Sequence, residues 1–220
     1  MKTINTITRA IAVLGVAGSC ATSVWGQSSF SMQIVADNDF AVFGGTSSGI
    51  NDLLYQNDAS WPDQISNLST LNFTLQSGDT MFYVLGMGGG GQENISGTIN
   101  GVDMTTIDVS MSSDLSSYLT GYLVDGQPDG SVAGGSYNAS LADVQAAYPN
   151  LTWGSPTINS SDNVIEIASP NGSGFHFDDS TAHLFTFDAT AVGITPVPEP
   201  CTLALAGLGG ASLLLFRRRK

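Results

Sequence analysis

The chain has 220 residues and a formal net charge of −13, and all six Lys and Arg residues lie at its ends: Lys2, Arg9, Arg217, Arg218, Arg219 and Lys220. Between Gln27 and Pro196 there are 18 acids (all 19 less Glu199), 16 of them Asp, with no Lys, Arg or Cys. That stretch excludes nucleic-acid binding, which needs cations to neutralise phosphates, and it excludes a disulfide framework and thiol chemistry. Oxygen-binding cations, calcium above all, are its natural counter-ions.

The start, "MKTINTITRAIAVLGVAGSCATSVWGQ", has the parts of a secretory signal peptide. Lys2 and Arg9 form a basic region, Ala10 to Gly18 an apolar one, and Val24-Trp25-Gly26 a cleavage site before Gln27. The expected divisions are therefore a signal helix over 1–26, a secreted domain over 27–195 and a tail over 196–220.

The body alternates short apolar runs with Ser, Thr, Asn, Asp and Gly, the pattern of many short strands. Strands are predicted over Ser31–Val35 and Phe40–Phe43. Between them lies Asp37-Asn38-Asp39, the most metal-like cluster. On a continuous strand Asp37 and Asp39 would share a side, yet two carboxylates alone fall short of the six to eight oxygens calcium takes. The competing reading is a turn closed by side-chain-to-backbone hydrogen bonds.

"LNFTLQSGDTMFYVLGM" reads as a hairpin, with Leu71, Phe73 and Leu75 alternating before Ser77-Gly78-Asp79, then Met81, Tyr83, Leu85 and Met87 on one face. "GMGGGGQEN" has no Lys to bind phosphate, so close backbone approach explains its glycines better. Asn100-Gly101 marks another turn, and Asp114–Leu119 a short helical turn. "DGQPDGS", with Asp125 and Asp129, lacks the spacing and closing Glu of an EF-hand. "SLADVQAAYP" is a helix with Ser140 as N-cap, Asp143 three residues on and Pro149 as its stop. "NVIEIAS" is a strand, and Phe175 with Phe177, then Phe185 with Phe187, mark one face each of two late strands. His176 and His183 are expected on exposed faces. The sum is an all-β, jelly-roll-like β-sandwich with one or two short helices.

Tyr55, Trp61 and Trp153 are candidates to stack on sugar rings, with Asp and Asn bonding the hydroxyls; the competing reading is that such aromatics are core. For catalysis the chain is poor. Glu93 and Glu166 are the only glutamates of the body, and no Gly-x-Ser-x-Gly occurs.

The tail carries the most specific signal. Cys201 to Phe216 is a run of 16 uncharged residues, shorter than the ~20 of a comfortable span. Pro196, Pro198 and Pro200 precede it and four cations follow, which favour the cytoplasmic side. Val197-Pro198-Glu199-Pro200, the Gly/Leu/Ala stretch and Arg217-Arg218-Arg219-Lys220 together resemble the PEP-CTERM sorting signal of Gram-negative bacteria. The resemblance implies a single C-terminal transmembrane helix and recognition by exosortase through Pro198, Glu199 and Pro200. It also implies a transient stay in the inner membrane, then release to the cell surface or extracellular matrix.

A second resemblance covers Ser31 to Val109. "ADNDFAVFGG", Trp61, "LQSGDTMFYVLGM" and "GGGGQENISGTI" are similar in order to the features of the galactose-binding-like jelly roll, and depart from it at Gly44-Gly45-Thr46. That resemblance implies carbohydrate or calcium binding. The reading that follows is a non-catalytic surface or matrix module associated with extracellular polysaccharide. Its rivals are a purely structural surface protein and a glycan-active enzyme.

Overall fold

The structure is a computed structural model that describes residues 28–37, 39–57, 59, 61–89, 93–120, 139–159 and 172–196. By contacts the chain divides into two units, one of which is Gln27–Pro196 and contains every described residue. The expected signal helix, the transmembrane tail, "DGQPDGS" and "NVIEIAS" lie outside the described residues.

Twelve strands are described. In chain order they are β1 (Ser28–Asp37), β2 (Asp39–Thr46), β3 (Gly49–Gln56), β4 (Leu71–Leu75), β5 (Met81–Met87) and β6 (Glu93–Ile99). Then come β7 (Val102–Asp103), β8 (Ser110–Ser112), β9 (Trp153–Gly154), β10 (Thr157–Asn159), β11 (Gly174–Phe177) and β12 (Ala182–Asp188). Two short α-helices accompany them, α1 (Trp61–Ser66) and α2 (Leu141–Ala147). One sheet runs β10-β11-β6-β1-β4 with β7 beside β6, and the other β3-β2-β5-β12-β8-β9.

The two sheets pack face to face as a β-sandwich. Even-numbered residues of β1 (Phe30, Met32, Ile34, Ala36) point into one buried cluster with Phe73, Ile95, Phe175 and Phe177 of their own sheet, and with Phe82, Val84, Phe185 and Phe187 of the other. Phe175 and Phe185 stack across the interface at 5.2 Å, and Phe30 meets Phe82 at 4.8 Å. Period-2 alternation brings these rings to one face of each strand.

The second sheet is buried on its other face too. Phe43, Tyr83, Leu85, Met87 and Leu184 form a second cluster with Leu115, Leu119, Val144 and Ala147, so α2 lies over that face. This explains why Met81, Tyr83, Leu85 and Met87 are apolar although they point away from the sandwich core. As expected, Ser140 caps α2, its hydroxyl accepting from the Asp143 amide at 3.1 Å. The α-helix stops at Ala147, and a 3₁₀ turn containing Pro149 follows. The predicted turn near Asp114 is a 3₁₀ turn over Ser116–Tyr118, with the Ser116 amide donating to Asp114 at 2.9 Å. Asn100 and Gly101, at φ 50° and 76°, make the tight turn between β6 and β7.

Two expectations are corrected. β4 and β5 are not a hairpin: β4 pairs with β1 in the first sheet, whereas β5 pairs with β2 and β12 in the second. The turn between them is tied to the second sheet by Asp79, which accepts from Asn51 at 2.8 Å and from the Gln76 amide at 3.1 Å. A strand apolar on both faces, as β5 is, needs cover on both sides, and in the second sheet the sandwich core and α2 supply it. His183 is not exposed either. It is buried on β12, with its ring nitrogens 2.8 Å from the Ser112 carbonyl and 2.9 Å from the Thr181 hydroxyl.

Candidate functional site

A half-open cavity of about 220 Å³ lies beside α1. Ile34, Phe40, Tyr55 and Leu71 form much of its apolar wall, while Asn57, Asp63, Gln64, Asn67 and Ser69 supply amides, a carboxylate and a hydroxyl. Each wall has a local cause. Val35, on the outer face of β1, packs under Ile65 and Leu68 and seats the helix. Gln64 then ties it down, accepting from the Ala36 amide at 2.9 Å and donating to the Ala59 carbonyl at 3.1 Å. Asn57 is fixed through its amide nitrogen, which donates to the Asp39 carboxylate and, at 2.7 Å, to the Ala59 carbonyl. Tyr55 leans on Phe40 and Phe73, each ring 5.8 Å away.

The cavity thus combines an aromatic wall with uncharged hydrogen-bonding groups and one carboxylate, that of Asp63. Such a mixture suits a small polyhydroxylated ligand, whose C–H faces pack on apolar surface while its hydroxyls bond the amides. With no Lys or Arg between 27 and 196, no such cation is available to receive an acidic ligand.

The aspartates of the metal-like cluster are separated by the fold. Asp37 ends β1 in one sheet and Asp39 begins β2 in the other, so they do not share one strand face as expected. Asn38 lies outside the described residues. Asp39 is buried and accepts from the Phe40 amide at 2.7 Å as well as from Asn57, which makes it a brace for the cavity wall. Asp37 points to the outer face of its sheet, and burial pushes its carboxyl up to about 6. Among the described residues, no three or more His, Cys, Asp or Glu side chains are grouped to hold a metal.

Of the three aromatic candidates, Tyr55 and Trp153 lie apart. Tyr55 lines the cavity. Trp61 opens α1, but its ring lies outside the described side chains. Trp153 sits on β9, at the opposite edge of the second sheet from β3, where it packs on Tyr148 at 5.7 Å. The sorting residues Pro198, Glu199, Pro200, Arg217, Arg218 and Arg219 lie outside the described residues.

Glu93 is fully buried, and its carboxylate accepts from the Gly89 amide at 3.1 Å. A Cβ on Gly88 would stand 2.6 Å from the Glu93 side chain, so this part of the glycine run serves close approach of backbone to a carboxylate. Sequence reading missed Asn57, Asp63, Gln64 and Asn67 because it missed α1. A signal was present: Pro62 in the first helical turn, where a missing amide proton is harmless, with Asp63 following it.

Residues 196–220 match the family described as the PEP-CTERM protein-sorting motif. The match assigns the chain to export and processing toward the cell surface or extracellular space, with exosortase as the implied processing partner. Comparison with curated proteins and with solved structures finds no match for this chain.

Proposed function

We propose that the body is a non-catalytic module that holds a neutral extracellular polysaccharide in the cavity beside Tyr55. The observation that carries this reading is the cavity's lining of one aromatic wall and four uncharged polar side chains, Asn57, Gln64, Asn67 and Ser69, around a single carboxylate. Export toward the cell surface, where such chains occur, supports the reading. An extracellular setting also suits a body rich in Asp, whose charge repels acidic polymers.

Calorimetric titration of the purified protein with neutral oligosaccharides, and with the polysaccharide secreted by the producing cell, tests the reading. Saturable heat is expected with neutral chains and none with polyuronic acids. Tyr55→Ala should weaken binding about tenfold, the equivalent of losing one aromatic contact. Asn67→Ala, at the rim, should weaken it without altering the thermal midpoint. No heat with any glycan would leave the body as a structural surface protein. Turnover of a glycan would instead make it an enzyme.

A further inference from the structure

On the outer face of the first sheet, three side chains from three adjacent strands stand in one row. The register places Asp37 of β1 opposite Asn94 of β6, and Asn94 opposite His176 of β11. Residues directly opposite each other in an antiparallel pair project to the same face, with Cβ atoms about 5 Å apart. The neighbours fix which face it is. Ala36, Ile95, Phe175 and Phe177 all point into the sandwich core, so Asp37, Asn94 and His176 point away from it.

Asn94 is the unusual member. It is 1 % exposed, and neither its Oδ1 nor its Nδ2 has a hydrogen-bond partner. A buried carboxamide left without partners bears the full cost of its desolvation, so a group held only for packing should be apolar here. The flanking Asp37 and His176 are half-buried and each brings a ligand atom of different kind.

We propose that Asp37, Asn94 and His176 bind a divalent transition-metal cation, of the Zn²⁺ or Mn²⁺ class, on the outer face of the first sheet. A carboxylate oxygen, an amide oxygen and an imidazole nitrogen form a mixed N/O donor set, which suits these ions. An all-oxygen calcium cage would have no use for the imidazole. Three protein ligands leave the remaining positions to water or to an oxygen of a bound molecule. This site is separate from the Tyr55 cavity: none of its three residues lines that cavity.

The test is thermal unfolding of the full-length protein in chelator, then with excess Zn²⁺, Mn²⁺ or Ca²⁺ alone. Zn²⁺ or Mn²⁺ should raise the midpoint by about 5–10 °C, as a ligand near a hundred times its Kd does for a domain of this size. Asp37→Asn and His176→Gln should each abolish the rise. Asn94→Leu should abolish it too, while in chelator its midpoint equals or exceeds that of the parent, because an apolar group replaces an unpartnered amide. With Co²⁺ as a spectroscopic substitute, the visible bands should disappear in His176→Gln. A rise with Ca²⁺ alone, a rise that survives in Asp37→Asn and His176→Gln, or no rise with Zn²⁺ and Mn²⁺ would each overturn the assignment.

Discussion

Replacing Pro198, Glu199 and Pro200 together by alanine is expected to leave the full-length chain in the inner membrane and to remove it from the cell surface. Two effects act in the same direction. Residues 196–220 match the sorting motif, and the resemblance of Val197-Pro198-Glu199-Pro200 to its start makes these three the residues whose loss should abolish recognition by exosortase. Pro198 and Pro200 also lack backbone donors, and proline disfavours the helical region in the residue before it. Alanine is the best helix former, so the variant lets the apolar run that starts at Cys201 continue upstream to Val197. A run too short for a comfortable span would become one of the ~20 residues that a bilayer needs, with the cations Arg217 to Lys220 favouring the cytoplasmic side for its end. Membrane fractionation with immunoblotting reads both location and length. Glu199→Gln separates the effects, because it removes the charge and keeps both prolines. If the triple-alanine variant reaches the surface at its processed length, recognition does not depend on these three residues.

The strands with one buried face were legible because their period is 2: Phe73 with Leu75, Phe175 with Phe177 and Phe185 with Phe187 all point into the sandwich. The cap on α2 was legible for the same local reason, a hydroxyl three residues before an acid. Pairing was not. β4 and β5 are joined by a turn that looks like a hairpin, and what divides them is Asp79 bonding Asn51, a residue 28 positions away. The candidate site failed in sequence in two ways. Asp37-Asn38-Asp39 looks like one cluster, yet the chain changes sheets within it and sends Asp39 to brace Asn57 and Asp37 to the opposite surface. Conversely, Asp37, Asn94 and His176 are far apart in the chain and meet only through strand register. Local chemistry is written in neighbouring residues, whereas a row across three strands is written in the order of the sheet.

Gly97→Ala is expected to destabilise the body by about 3 kcal/mol, the upper end for forcing extra volume into a packed site, and to lower its thermal midpoint by about 6–12 °C. Gly97 lies in β6 opposite Ile34 of β1. A Cβ there would stand 2.1 Å from the Gln33 carbonyl oxygen, 2.9 Å from Ile34 Cγ1 and 3.0 Å from Ile34 Cα. Two of those three atoms are backbone, so no rotamer change relieves the clash and β1 must move away from β6. β6 lies between β1 and β11. The same movement therefore disturbs the row of Asp37, Asn94 and His176. Gly49→Ala and Gly154→Ala are the controls, since a Cβ at either meets no heavy atom within 4 Å. Urea unfolding should show a lower midpoint for Gly97→Ala at unchanged slope, and changes of no more than about 0.5 kcal/mol for the controls. A Gly97→Ala variant as stable as Gly49→Ala would mean that β1 and β6 are not in this register, and the three-residue row would fall with it.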